Sequence, residues 1–220
     1  MSILTGPRAE AASGEKDSVV VFLHGYGADG NDLFGLAQAM APHLPNTAFR
    51  SPNAPERCAV NPMGYQWFPI SWLDGSPESA MQDGARRAVA TLHAYFDEVL
   101  AEEGLTADRM AVVGFSQGTM MSLTVCLRRP EPFAGLVGFS GRLVADEEDG
   151  PITSKLPVLL IHGDQDEMVP VDSIHEARAA LAKDGVDVRW HVSRGVGHGI
   201  APDGLSLAVA FLRDKLGAAG

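Results

Sequence analysis

Short, wholly apolar runs alternate along the chain with longer segments whose apolar positions recur every three to four residues. The runs VVVFL (19–23), MAVVGF (110–115), FAGLVGFS (133–140) and LPVLLIHG (156–163) read as strands buried on both faces. Such strands belong in a parallel sheet covered by helices on each side. VDVRWHVS (186–193) alternates more regularly and belongs nearer an edge. Helical periodicity covers 32–44, 77–103, 117–129, 171–183 and 201–216. This alternation predicts an α/β fold, a mostly parallel doubly wound sheet flanked by helices. No repeat or composition shift marks a second domain, so residues 18–220 form one domain. Residues 1–17 are polar and read as a flexible segment or a short edge strand.

One segment departs from the rhythm. Residues 52–77 are rich in proline and glycine yet carry Tyr65, Trp67, Phe68 and Trp72. A long loop inside a compact domain is functional or disordered, and this aromatic content opposes disorder. The segment is expected to cover a substrate site, with packing over the domain as the alternative. The acidic run 146–149 (DEED) reads as a solvated loop.

Composition narrows the partners. The 220 residues are 45% hydrophobic and 20% charged, and the formal net charge is -11. An acidic surface repels phosphate backbones, which opposes nucleic acid as a partner. No apolar run reaches the roughly 18 residues of a membrane span. Two cysteines, Cys58 and Cys126, are too few for a disulfide framework. They fit a reducing compartment, and with no apolar leader at the N-terminus the expected location is cytoplasmic.

Chemistry concentrates at three strand ends. The stretch VVGFSQGTM places Gly114, Ser116 and Gly118 in G-x-S-x-G between a buried strand and a helix. A serine on a sharp strand-to-helix turn needs small neighbours, because backbone there meets backbone. In a chain with 24 glycines the letters alone carry little, and the strand-to-helix context carries more. A fragment of the same pattern, GFSG (138–141), recurs nearby. A serine hydroxyl needs a base and an orienting carboxylate; where the serine stands on a strand-to-helix turn of the G-x-S-x-G kind, they follow it in the chain order Asp or Glu, then His. HGDQDEMVP offers Asp164 and Asp166 after one strand, and RGVGHGI offers His198 after the next. His198 is the histidine of choice, being in a glycine-rich loop after the last strand. His24 and His162 read as partners within their own turns, and residues alone do not separate Asp164 from Asp166. A metal site from His162, Asp164 and Asp166 lacks a further strand-end ligand cluster.

The motifs HGYGAD, GFSQG, HGDQDEMVP and GVGHG, in this order, resemble the phospholipase/carboxylesterase family of α/β hydrolases, which includes acyl-protein thioesterases. The resemblance covers nearly the whole chain. It implies Ser116 as nucleophile, His198 as base and Asp166 as the acid, with no cofactor. It also implies an oxyanion hole from the backbone N–H groups of Tyr26 and Gln117. Two departures stand out: Tyr26 replaces an aliphatic residue, and Pro69 stands where the family's W-F-D has aspartate. The expected substrate is a small carboxylic ester of short to medium acyl length, with lysophospholipids and acyl thioesters passing through the same oxyanion. Trp67, Phe68, Trp72, Phe139 and Met168 are expected to wall its pocket. Oligomeric state stays open, a homodimer included.

Two other functions compete. Gly25, Gly27 and Gly30 also spell G-x-G-x-x-G, and Arg50 lies about where an arginine would accept a 2′-phosphate, as in an NADP-dependent oxidoreductase. Asp29 and Asp32 oppose a pyrophosphate at that helix end. The third reading is a non-catalytic binding protein on the hydrolase fold, opposed by the presence of all three triad residues.

Overall fold

The computed structural model describes residues 4–144 and 150–217; the acidic run 146–149 lies outside them. Among the described residues nine strands form: β1 (Arg8–Ala9), β2 (Ser18–Leu23), β3 (Thr47–Arg50), β4 (Glu56–Arg57), β5 (Tyr65–Gln66), β6 (Met110–Phe115), β7 (Gly135–Phe139), β8 (Val158–Gly163) and β9 (Val188–Ser193). Seven of them make one sheet in the order β1-β3-β2-β6-β7-β8-β9, while β4 and β5 pair as a small hairpin. Every pairing in the large sheet is parallel except β1 with β3. The polar N-terminal segment thus contributes an antiparallel edge strand at Arg8–Ala9.

Burial on both faces explains the apolar runs. In β2, Val19, Val21 and Leu23 point into one core, and Val20 and Phe22 into the other. The first core is closed by α3 (Glu78–Glu103), α4 (Gln117–Cys126) and α5 (Asp172–Lys183). The second is closed by α1 (Gly30–Met40) and α6 (Pro202–Leu216). All ten residues of α4 are buried, so this helix needs no polar face. β9 lies at the sheet edge and is half-exposed, as its alternation predicts.

Differences from the sequence reading are local. Helix α1 starts at Gly30, ahead of the expected 32, because the Asp29 side chain accepts from Asn31 N–H at 2.8 Å and caps it. Strand β3 (TAFR) lies outside the wholly apolar runs, because it ends in arginine. Residues 52–77 hold the β4–β5 hairpin and a four-residue helix, α2 (Ser71–Asp74).

Candidate active site

The loops after β2, β6, β8 and β9 meet at the carboxyl ends of the strands, where open α/β sheets form their sites. Ser116 sits between β6 and α4 with φ 52° and ψ -115°, a conformation that non-glycine residues seldom adopt. The glycines two positions to either side have no room for side chains. A Cβ at Gly114 would lie 2.6 Å from the Thr119 nitrogen, and one at Gly118 only 1.9 Å from the Leu23 carbonyl oxygen. The turn is anchored from the adjacent strand: the Phe139 carbonyl accepts from Ser116 N–H at 2.9 Å and from the Thr119 hydroxyl at 2.8 Å.

His198 reaches this serine through a second close approach. A Cβ at Gly163, the last residue of β8, would lie 2.2 Å from the Val196 carbonyl oxygen. Glycine there lets the His198 loop fold over the end of the sheet. Nε2 of His198 lies 3.0 Å from Ser116 Oγ, and Nδ1 lies 2.8 Å from Asp166 Oδ2. The other oxygen of Asp166 accepts the N–H groups of Met168 and Val169, both at 2.9 Å. Burial works to raise the Asp166 pKa. The Val169 N–H, the His198 ring and the Met168 N–H outweigh it and hold the carboxyl below its ordinary value. An ionised Asp166 accepts from Nδ1–H and leaves Nε2 to accept the serine proton.

The two aspartates are therefore separated by geometry. Asp164 Oδ1 accepts from Gly195 N–H at 2.6 Å, stapling its turn to the loop after β9. His162 donates from Nε2 to the Val169 carbonyl at 2.8 Å, with Asp166 Oδ2 at 3.3 Å. His24 lies between Gly25 O, 2.7 Å from Nδ1, and the Ala54 N–H that Nε2 accepts at 3.0 Å. Burial holds its pKa below the ordinary value, against the Gly25 carbonyl and the Asp29 and Asp32 charges. His24 is a neutral strut between two loops.

A cavity of about 190 Å³ opens over Ser116, lined by Tyr26, Gln117 and His198 and by the apolar Ile70, Trp72, Leu73, Met120, Met168 and Val169. Of the five residues expected to wall the pocket, Trp72 and Met168 do so. Phe68 lines an adjoining groove instead. Trp67 and Phe139 are fully buried and line neither. The Trp67 ring N–H is consumed by the His24 carbonyl at 2.9 Å, which draws the indole inward. The Phe139 ring faces the core under α1 and α6, and its carbonyl is what serves the site. Ile70, Leu73 and Val169 escaped the sequence reading, being aliphatic residues in irregular segments. Met120 carried a usable signal, one helical turn after Ser116.

Two groups beside Ser116 aim other parts of the wall. Gln117 accepts Trp67 N–H at 2.9 Å and donates to the Phe68 carbonyl at 2.8 Å, so its side chain stitches the covering segment to the serine turn. Tyr26 donates its hydroxyl to Asp74 Oδ2 at 3.0 Å. Burial first, then hydrogen bonding to Cys58 and Asp74, pushes the phenol pKa up, so it remains a donor.

The glycine turn after β2 is not an open anion cradle. Gly30 N–H donates to Asn53 Oδ1 at 2.8 Å, and Asn31 N–H to Asp29. Arg50 points into the protein, pairing with Glu103 and, at 3.1 Å, with Glu10. The model of the phospholipase/carboxylesterase family matches residues 4–216. The chain belongs to that family. An acyl-protein thioesterase 1 of Gibberella zeae is 28% identical over 96% of this chain and 95% of its own. A probable carboxylesterase of Oryza sativa subsp. japonica is 30% identical over 97% of this chain and 83% of its own. The crystal structure of esterase PE8 superposes with TM-score 0.91 at 47% identity, covering 97% of this chain and 99% of that one. This phospholipase/carboxylesterase family member is thus an α/β hydrolase and an enzyme of the esterase class, not an oxidoreductase. Among the described residues, no helix is long and apolar enough to cross a membrane.

Proposed function

We propose that this family member hydrolyses carboxylic esters of short to medium acyl length through an acyl-enzyme on Ser116. The observation that carries the proposal is the single imidazole of His198, placed 3.0 Å from a serine oxygen and 2.8 Å from a buried carboxylate. In the forward step, Ser116 Oγ bonds to the ester carbonyl carbon as His198 Nε2 takes its proton. The backbone N–H groups of Tyr26 and Gln117 receive the oxyanion, each donor being worth about 3 kcal/mol in the transition state. The carbon–oxygen bond to the alcohol then breaks, and His198 returns the proton to the leaving oxygen. Water repeats the sequence in reverse and releases the acid. Asp166 fixes the tautomer and compensates the imidazolium throughout.

Acyl thioesters pass through the same oxyanion, and the thioesterase relatives give that substrate class support. A cytoplasmic location accords with two buried, unpaired cysteines, Cys58 and Cys126. The test is Ser116→Ala assayed on p-nitrophenyl butyrate, with the fold followed by circular dichroism. Turnover is expected to fall by about 10⁴-fold or more, and labelling by a fluorophosphonate probe to vanish. Wild-type turnover in a folded variant overturns the proposal.

A further inference from the structure

Strand β7 ends in a second strained turn. GFSG (138–141) repeats part of the serine motif on the neighbouring strand, and Ser140 has φ 47° beside 52° for Ser116. A Cβ at Gly141 would lie 2.4 Å from the Thr119 Cβ and 3.0 Å from the Ser116 carbonyl oxygen. The backbone leading into Arg142 is therefore pressed onto the catalytic turn. Non-glycine residues hold such conformations only where their surroundings over-determine them.

Beyond this turn lies the apolar groove lined by Phe68, of about 90 Å³, between the covering segment and helices α3 and α4. It shares Ile70, Trp72 and Met120 with the cavity over Ser116. His198 must protonate the leaving group, so the leaving group lies on the side of His198 and Met168. The acyl chain is left the opposite wall, whose Ile70, Trp72 and Met120 also line the groove.

Arg142 lines this groove, its guanidinium carbon 5.3 Å from the Trp72 ring centroid. A guanidinium lying over an aromatic ring keeps its N–H donors in its own plane, directed outward as a fork that matches a carboxylate. A second lining cation, Arg86, is 3.9 Å from Asp83 on the same helix. Among the described residues, no carboxylate stands in an ion pair with Arg142. With a net charge of -11 the protein repels anions at long range, so a local cation beside the acyl path is a selective feature.

We propose that Arg142 fits this enzyme for acyl chains ending in a carboxylate, the mono-esters of aliphatic dicarboxylic acids. The methylenes occupy the apolar groove and the distal carboxylate takes the guanidinium fork. This rests on the acyl-enzyme reading of Ser116.

The test compares kcat/KM for mono-p-nitrophenyl adipate and neutral p-nitrophenyl hexanoate in the wild type, Arg142→Gln and Arg142→Lys. The adipate-to-hexanoate ratio is internal to each preparation, so a partly misfolded variant scales both rates alike. Arg142→Gln lowers that ratio about fivefold, the upper range for an exposed ion pair, and Arg142→Lys recovers part of the loss. The wild-type ratio also falls as salt rises. Hexanoate turnover with the same ratio in wild type and Arg142→Gln overturns this proposal alone. Failure of the wild type to hydrolyse either ester overturns the Ser116 reading, and this proposal with it.

Discussion

The cavity over Ser116 has two walls made by different means. One is built from strand ends and held by backbone against backbone, with 1.9 Å between a hypothetical Gly118 Cβ and the Leu23 oxygen. The other, the covering segment, contributes a hairpin of two two-residue strands and a four-residue helix. Tyr65 ties the hairpin to the turn after β2 by backbone hydrogen bonds with Gly27 and Ala28, and side-chain hydrogen bonds hold the part that reaches the cavity. Gln117 grips Trp67 and Phe68, the Trp67 indole grips His24, and Tyr26 grips Asp74. Steric contacts of the first kind are all or nothing. Hydrogen bonds of the second kind can be removed one at a time, for about 1 kcal/mol net each. The first wall fixes the chemistry, and the second can be loosened in steps to change which acyl group fits.

The largest test of this contrast is Asp166→Asn. An amide oxygen and NH₂ group do not impose the His198 tautomer, so kcat is expected to drop about 10⁴-fold with the fold retained. The same variant alters the acid response. The Asp166 pKa lies below its ordinary value in the folded protein, so its contribution to stability is present above the unfolded carboxylate range, near pH 4. That contribution is lost as pH falls through the lower folded value. Urea unfolding at about pH 6 and about pH 3 should show a smaller acid loss in Asp166→Asn than in the wild type. Equal losses would remove Asp166 from the account of acid sensitivity.

Gln117→Ala tests the covering wall directly. It leaves the Trp67 N–H and the Phe68 carbonyl buried without their partner, at a cost of about 3 kcal/mol in urea-derived stability. The oxyanion donor proposed at 117 is backbone and survives the change. Molecules that remain folded are therefore expected to keep labelling with fluorophosphonate, and a folded but unreactive variant contradicts the division between the walls.

Tyr26→Phe should be the mildest. It removes one hydroxyl from Asp74, which still accepts from Ile70 and Ser76 N–H groups. Stability is expected to fall by about 1 kcal/mol or less. The informative readout is kcat/KM across p-nitrophenyl esters from acetate to octanoate. An unaltered chain-length profile would take the Tyr26 latch out of the acyl wall.

The same contrast decided what could be read from the sequence. The strand ends announce themselves, because close backbone approach demands glycine at Gly114, Gly118 and Gly163, and the motifs are those glycines with their reactive neighbours. The covering wall rests on pairs distant in sequence, such as Tyr26 with Asp74, which no local pattern reveals. Aromatic content set the segment apart from a disordered loop, yet did not say which ring faces inward: Trp67 is buried and Trp72 exposed. Phe139 sits in a strand buried on both faces, where apolar character is the same for either side of the sheet. Arg50 was misleading for a similar reason: its partners Glu10 and Glu103 come from opposite ends of the fold's first half.

Asp166 holds its turn through the main-chain nitrogen of residue 168, never through the methionine side chain, which is 63% exposed. Position 168 is therefore a place where substrate range and catalytic competence are inherited separately. Any residue with an N–H keeps the carboxylate in place, so selection can exchange the side chain at the cavity mouth and retain a working enzyme at every step.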